Sequence, residues 1–213
     1  DERTAELQAV SAALQEKSRV LERASIIDPL TGLHNRRFLS EHIEGSLAAS
    51  QRRADDGSRR PGNAAGIDTL FFLIDVDHFK RINDEHGHAV GDIVLKETTQ
   101  RLRQALRATD MIARLGGEEF GALLPDTDLE GAQRVAERCR ELVGATPVEI
   151  EGLASVKVTA SFGVAVLDTT VMSAPEDLLR AADAALYSSK GRGRNRVSVS
   201  DAGLDAFHSE PFG

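Results

Sequence analysis

Two acidic elements carry the residues best suited to chemistry in this sequence. Asp75 and Asp77 follow a wholly apolar run, and Glu118 with Glu119 follows two glycines. A carboxylate at the end of a buried strand is costly unless a cation or strong donors meet it. Carboxylate oxygens together with bound phosphate are the usual ligands of Mg²⁺. If Glu118 lies beside Asp75, the pattern predicts a divalent-cation site. The structural alternative is a pair of strand-end acids that cap the next helix.

Two glycines, Gly116 and Gly117, join the elements around this second acidic pair. They lie between predicted strands at 110–114 and 119–124, and paired glycines tolerate the positive φ of a hairpin turn. Glycine also leaves main-chain N–H groups open to phosphate oxygens. An ordinary hairpin with exposed acids is the alternative, but it does not explain the matching acidic strand end at Asp75.

Hydrophobic periodicity predicts the elements that position these residues. The apolar run 69–76 predicts a central strand buried on both faces, whereas alternation over 156–166 predicts a strand with one buried face. Helices are predicted at 36–51, 91–106 and 128–143, and from a capping box at 173–176 to about residue 190. Residues 196–199 predict an edge strand. The order β-α-β-β-α-β predicts an α+β fold with helices against the sheet.

Residues 1–27 predict a helix that precedes this core. Leu7, Leu14 and Leu21 recur every seven positions, which is typical of a short coiled coil for signalling or dimerisation. A single amphipathic helix packed on its own domain is the alternative. The Asp28-Pro29 step should end the helix. Residues 52–68 predict a surface loop, and residues 200–213 predict an unstructured tail, because neither segment has an apolar pattern.

Composition restricts the class of protein. The chain has 213 residues, of which 41% are hydrophobic, and a net charge of −8 that argues against DNA or RNA as partners. A single cysteine, Cys139, excludes an internal disulfide, and its predicted helical setting indicates a buried structural thiol. The longest apolar run is too short to cross a membrane. A cytoplasmic protein is expected, either by itself or as the cytoplasmic part of a membrane-bound or multi-domain parent.

Four motifs together resemble the GGDEF-domain diguanylate cyclase family, over residues 28–199. They are 28–37 (DPLTGLHNRR), 75–80 (DVDHFK) with the residues up to Asp92, 114–120 (RLGGEEF) and 193–196 (GRNR). The resemblance implies a palm-like, ferredoxin-like core with a mostly antiparallel central sheet. It also implies an enzyme in which two domains, each with one GTP, form cyclic di-GMP and release two pyrophosphates. Glu replaces Asp at the third signature position, a variant the family accepts, and the 52–68 segment is longer than expected.

The resemblance implies roles for individual residues. Two Mg²⁺ or Mn²⁺ ions would be held by Asp75, the main-chain carbonyl of Val76 and Glu118, and Glu118 is also the candidate base. The substrate would be bound by a larger set: Asn83 and Asp92 at guanine, Lys80, Lys190 and Arg194 at phosphate, and Gly116 and Gly117 as a phosphate cradle. The alternatives are a turn role for Asn83, a first-turn helix role for Asp92 and solvated surface positions for the three cations.

A regulatory signal lies just before the hairpin. Arg107 and Asp110 have the Arg-x-x-Asp spacing at which the family binds its product as an inhibitor, and a simple salt bridge is the alternative. The resemblance further implies a homodimer and an upstream sensor domain. Two other functions are weighed: a catalytically silent module that binds GTP or cyclic di-GMP, and a different nucleotide cyclase on a similar sheet. The intact set of site residues disfavours the first, and the guanine-reading pair disfavours the second.

Overall fold

The structure is a computed structural model that describes residues 26–55, 69–169 and 171–200. Its strands are β1 (His34–Asn35), β2 (Thr69–Val76), β3 (Met111–Gly116), β4 (Glu119–Pro125), β5 (Ala160–Val166) and β6 (Val197–Val199). Its helices are α1 (Arg36–Asp55), α2 (Phe79–His86), α3 (His88–Ala105), α4 (Leu129–Gly144) and α5 (Pro175–Gly191). Among the described residues, none of these helices is long and apolar enough to cross a membrane.

The strands form one mixed sheet in the order β1-β3-β4-β2-β5-β6. The three inner pairings, β3 with β4, β4 with β2 and β2 with β5, are antiparallel. The two outer pairings, β1 with β3 and β5 with β6, are parallel. The sheet therefore confirms the predicted α+β fold with a mostly antiparallel centre.

Strand β2 forms the centre of the core, and all eight of its residues are buried as its apolar run predicts. Alternate side chains enter two different clusters. Phe72 and Ile74 pack with residues of α3 and α4, whereas Phe71 and Leu73 pack with residues of α1 and α5. Helices therefore cover both faces of the sheet, and the acidic residues at the carboxyl end of β2 sit on a rigid support.

Strand β5 corrects the prediction of a strand with one buried face over 156–166. The regular strand begins only at Ala160, and all seven of its residues are buried. The second face is covered by α5, which approaches so closely that a Cβ atom at Gly163 would overlap the main chain of Ala182 and Leu186. Val156 lies before the strand and pairs with Val148 in an isolated bridge.

Three segment boundaries differ from those predicted. Helix α1 continues to Asp55, so residues 52–55 are helical instead of loop, while 56–68 lie outside the described residues. Ile27 forms a bridge with His34, so the predicted helix over 1–27 does not reach it, and residues 1–25 are not described. Ser200 is buried and its N–H donates to the Val164 carbonyl, so it belongs to the core and not to the tail; 201–213 are not described.

The helices after β2 and before β6 also correct three local interpretations. An additional helix, α2, holds Asn83 in its interior, so Asn83 is not a turn residue. Helix α3 begins at His88 and has no acid in its first turn, which rules out that role for Asp92. In α5 the residue before the helix is Ala174, and Asp177 instead of Glu176 accepts from the N–H groups of Ser173 and Ala174.

Cys139 lies on α4 and is fully buried, as predicted for a structural thiol. Burial raises the pKa of its thiol to about 12, so the reactive thiolate is not formed near neutral pH.

Candidate active site

The carboxyl end of β2 lies against the turn between β3 and β4. Asp75 is the register partner of Glu119, and the Val76 N–H donates to the Glu118 carbonyl at 3.3 Å. Gly116 and Gly117 adopt φ values of 135° and 56°, a region that side chains disfavour, so the glycines are required by the turn itself. The fold therefore brings together the two acidic elements that the sequence places 43 residues apart (118 minus 75).

The carboxylates of Asp75 and Glu118 lie near enough here to repel each other, and both are partly desolvated. Burial raises the pKa of Asp75, while the nearby charges of Lys190 and Arg194 act against this rise. Burial, followed by repulsion from Asp75, raises the pKa of Glu118. Both effects disfavour two negative charges in the absence of a cation, and a divalent ion would offset them.

Lys190 places a positive charge directly beside the Asp75 carboxylate. Its Nζ lies 2.8 Å from Oδ2 of Asp75, and the Lys190 side chain is 34% exposed. It is therefore an ion-paired residue and not a solvated surface cation. Arg194 lies close enough to act against the rise in the pKa of Asp75, whereas Lys80 is exposed on α2. The structure thus gathers Lys190 and Arg194 at the acidic pair, with Lys80 on the helix that follows β2.

The donor set fits an oxygen-preferring divalent cation only in part. In the described residues, no group of three or more His, Cys, Asp or Glu side chains is placed to hold a metal ion. The chain offers two carboxylates, from Asp75 and Glu118, and the main-chain carbonyl of Val76, the last residue of β2. Mg²⁺ normally completes its shell with water and substrate phosphate, so a two-carboxylate site suits a cation that arrives with a nucleotide.

Asn83 has the most unusual polar environment near this site. Its Oδ1 atom is buried and has no hydrogen-bond partner among the described residues. The atom is aimed at α3, where a Cβ atom at Gly91 would overlap it. An unsatisfied buried acceptor costs about 1–3 kcal/mol, so a ligand that donates to Asn83 would gain affinity. Asp92, the neighbour of Gly91, is exposed on the same helix.

The close approach of Gly91 to Asn83 leads to a testable expectation. Gly91→Ala should weaken GTP binding about tenfold, because the methyl group displaces the amide and one hydrogen bond is worth roughly 1 kcal/mol or more. The thermal midpoint should change little, since alanine favours the helix interior while the displaced amide offsets that gain. Titration of GTP into both proteins checks this, and unchanged affinity would show that the Asn83 amide does not contact the base.

Asp77 does not share the position of Asp75, although a spacing of two residues in a strand would place both side chains on one face. It lies beyond the end of β2 and accepts hydrogen bonds from Thr159 Oγ1 at 2.7 Å and Ser161 Oγ at 2.6 Å. The Asn195 N–H also donates to Oδ2 at 3.0 Å. Its carboxylate is therefore satisfied by protein donors and is not the second acid of the pair.

The first motif of the sequence supports the hairpin, a role that sequence reasoning missed. Asp28 forms an ion pair with Arg114 at 3.2 Å, and Arg114 also donates to the Gly117 carbonyl at 2.8 Å. Arg36 donates to the Leu115 carbonyl at 3.0 Å. Burial would raise the pKa of Asp28, but the bonds from Thr31 and Arg114 outweigh it and lower the pKa. A basic residue just before two glycines was the only sequence signal for this contact.

The Arg107–Asp110 segment forms a compact main-chain loop between α3 and β3. The Arg107 N–H donates to Asp110 Oδ2 at 2.8 Å, and the Asp110 N–H donates to the Arg107 carbonyl at 3.1 Å. Within the described residues no salt bridge joins the two side chains. The Arg107 side chain is exposed. Arg138 donates to the nearby Ala105 carbonyl. At 1.5 Å per residue, this loop lies roughly 20 Å along α3 from Asp92.

Comparisons with known proteins agree with this arrangement. The chain matches the family model described as "Diguanylate cyclase, GGDEF domain" over residues 25–196. It is 43% identical to diguanylate cyclase DgcP of Pseudomonas aeruginosa over 175 residues, which are 82% of this chain and 24% of that protein. It is 42% identical to response regulator PleD of Caulobacter vibrioides over 178 residues, which are 81% of this chain and 36% of that protein. The chain thus spans about a quarter to a third of these relatives.

Solved structures show the same fold. Diguanylate cyclase SiaD of Pseudomonas aeruginosa, in complex with its activator SiaC, superposes with a TM-score of 0.72 at 36% identity, covering 93% of this chain and 72% of that one. The coiled coil and GGDEF domain of DgcB from Caulobacter crescentus, in complex with c-di-GMP, has a TM-score of 0.72 at 27% identity, covering 93% and 97%. This chain belongs to the GGDEF-domain diguanylate cyclase family.

Proposed function

We propose that this chain condenses two GTP molecules into cyclic di-GMP with release of two pyrophosphates. The observation that carries the proposal is the desolvated Asp75–Glu118 pair at a glycine turn, with Lys190 and Arg194 beside it. Two carboxylates and two cations at one edge of a sheet suit a substrate that brings both divalent metal and phosphate. The names of the relatives support the same reaction.

Asp75, Glu118 and the Val76 carbonyl would hold Mg²⁺ or Mn²⁺, and we propose two ions per site. When bound, these ions would polarise the α-phosphate, favour the attacking 3′-oxyanion and neutralise the leaving pyrophosphate. Lys190 would then leave Asp75 and bind phosphate, because the metal takes over the charge that Lys190 balances in the structure. Lys80 and Arg194 would add further phosphate contacts. A general-base role for Glu118 belongs to the proposal, although metal coordination would lower its proton affinity.

Guanine selection would fall to Asn83 and Asp92. A carboxylate at Asp92 can accept from the N1–H and N2–H₂ donors of guanine, and the Asn83 amide can meet the remaining polar edge. Adenine lacks the N1–H and N2–H₂ donors and would leave the Asp92 carboxylate unsatisfied. Gly116 and Gly117 would cradle the phosphates with bare main chain.

The reaction needs two copies of the chain, since each would hold one of the two GTP molecules. We therefore propose a homodimer in which two sites face each other, with residues 1–27 raising the effective concentration of one domain near the other. A cytoplasmic location, where GTP is supplied, and input from a sensor domain belong to the same proposal. PleD, a response regulator much longer than the matched region, supports the latter.

The proposal is tested by incubating the protein with GTP and Mg²⁺ and separating the nucleotides by chromatography. A product that co-elutes with cyclic di-GMP is expected from GTP and not from ATP. The rate per molecule should fall on dilution, because one chain alone holds half of the reaction. GTP turnover with a constant rate per molecule would contradict the homodimer, and cyclic di-GMP binding without turnover would identify a receptor instead.

We also propose that cyclic di-GMP inhibits the enzyme at Arg107 and Asp110. The exposed Arg107 guanidinium can bind the O6/N7 edge of guanine in a bidentate manner, and such a contact is worth about 1–3 kcal/mol. Arg107→Ala should therefore raise the half-inhibitory cyclic di-GMP concentration at least about tenfold. Lys96→Ala removes an exposed cation from α3, the helix that precedes this loop, and is the matched control. Equal inhibition of both variants would show that the product acts elsewhere.

A further inference from the structure

The turn after α5 has an unusual backbone. Gly193, Arg194 and Asn195 adopt φ values of 109°, 63° and 44° in succession. Arginine in the left-handed region is uncommon, and such residues cost on the order of 1–3 kcal/mol unless the surrounding structure holds them. Some contact must therefore stabilise this turn.

Asp77, which follows the last residue of β2, provides one such contact. Its Oδ2 accepts the Asn195 N–H at 3.0 Å, 118 residues away in sequence. The turn has other partners as well: the Arg194 N–H donates to the Ser189 carbonyl at 3.0 Å, Arg140 of α4 donates to Asn195 Oδ1 at 3.1 Å, and the Phe162 N–H of β5 donates to the Arg196 carbonyl at 2.9 Å. Asp77 is therefore the residue that ties the turn to β2.

The Asp77 carboxylate is itself rigidly held. It is 4% exposed, and hydroxyl groups of Thr159 and Ser161 donate to its two oxygens at 2.7 and 2.6 Å. The Asp77 N–H donates to the Thr159 carbonyl at 2.8 Å. Hydrogen bonds to an ionised carboxylate are stronger than neutral ones, so the group is a fixed acceptor and not a mobile ligand.

The turn that Asp77 fixes carries Arg194 toward Asp75. Lys190, four residues before Arg194, has its Nζ atom 2.8 Å from Oδ2 of Asp75, and the Arg194 N–H donates to the Ser189 carbonyl at 3.0 Å, so the turn starts directly beside Asp75.

We infer that Asp77 is a positioning residue for nucleotide binding, which fixes the 193–196 turn so that the Arg194 guanidinium meets the triphosphate. The inference rests on the proposed function, because it takes the substrate to be a nucleoside triphosphate at the end of β2. It separates the two acids of the motif: Asp75 faces the ligand, and Asp77 acts through Arg194.

A double-mutant cycle with the α,β-methylene analogue of GTP and Mg²⁺ tests this. Asp77→Ala should weaken binding of the analogue about tenfold in the wild-type background and less than about twofold in the Arg194→Ala background, because coupled residues are not additive. Asp77→Asn keeps the shape of the side chain and one acceptor, so it should bind within about threefold of wild type, and this small loss should also vanish without Arg194.

Each outcome of the cycle has a definite meaning. A purely structural role would lower the thermal midpoint and weaken binding equally in both backgrounds, and that result would overturn the inference. If Asp77→Ala does not fold, the loss in Asp77→Asn and its disappearance with Arg194→Ala decide in the same way. Wild-type protein that binds no analogue would overturn the proposed function as well, whereas wild-type binding with additive losses overturns this inference alone.

Discussion

Replacing Glu118 with glutamine is expected to abolish cyclic di-GMP formation while leaving the fold intact. Burial and repulsion from Asp75 disfavour the ionised form of Glu118 in the protein without metal. The same carboxylate would hold the metal. A raised pKa means that the folded chain binds the proton more tightly than the unfolded chain. Ionised Glu118 therefore destabilises the folded state above its raised pKa, and the neutral amide removes that effect. The metal-free thermal midpoint should stay equal or rise.

The expected loss of activity is at least roughly 1000-fold, because several kcal/mol of transition-state stabilisation would disappear with the metal. Glu119→Gln is the matched control. The Glu119 side chain is 40% exposed and lies 3.7 Å from Arg36, and such a surface pair contributes little. Its variant should retain activity within a few-fold.

Thermal unfolding with and without Mg²⁺ and GTP separates metal binding from catalysis. Ligands that bind only the folded state raise its midpoint, so wild type and Glu119→Gln should be stabilised by Mg²⁺ with GTP, and Glu118→Gln much less. If Glu118→Gln keeps both activity and this stabilisation, Glu118 is not a metal ligand. If both glutamate variants lose activity alike, the effect belongs to the hairpin as a whole.

The parts of the fold that sequence predicted are those encoded locally. Eight apolar residues in a row define β2, and two adjacent glycines define the turn between β3 and β4. The two acidic elements could be expected at neighbouring strand ends, because the sequence places acids at the end of each. Local pattern did not determine which glutamate lies opposite Asp75, and the register places Glu119 there.

The parts that sequence did not predict depend on contacts between distant residues. Asp77 finds its donors 82, 84 and 118 residues away, and Arg114 finds Asp28 at a separation of 86. The periodicity of a single strand contains no information on such partners. Asp77 lies two residues after Asp75, a spacing that would place both side chains on one face of a strand. Its carboxylate instead accepts hydrogen bonds from the hydroxyl groups of Thr159 and Ser161.

Small residues explain the error in β5. The strand reads Ala-Ser-Phe-Gly-Val-Ala-Val, and its small positions look like a solvent-facing side when they are counted for hydrophobicity. In the structure they are small because α5 packs directly on them. Pattern analysis treats a glycine as the absence of a buried side chain, whereas here Gly163 marks the closest approach of a helix.

Gly163→Ala is therefore expected to be strongly destabilising. Its Cβ atom would overlap the Ala182 carbonyl oxygen and the Leu186 nitrogen and lie 2.9 Å from Leu186 Cβ. These neighbours are main-chain or near main-chain atoms, so no rotamer change relieves the clash and α5 must move from the sheet. Overpacking in a core costs typically 1–3 kcal/mol, and a rigid backbone contact should reach at least about 3 kcal/mol. For a chain of this size that lowers the midpoint by roughly 6–12 °C.

Gly45→Ala provides the matched control, because Gly45 lies within α1 and a Cβ atom there meets nothing within 4 Å. Alanine in a helix interior should stabilise the fold by about 0.5–1 kcal/mol, so the same substitution should have opposite signs at the two positions. Thermal unfolding of both variants measures this. Because α5 carries Lys190 and leads to Arg194, Gly163→Ala should also weaken GTP binding. A Gly163→Ala protein as stable as wild type would show that α5 does not pack on β5 at this distance.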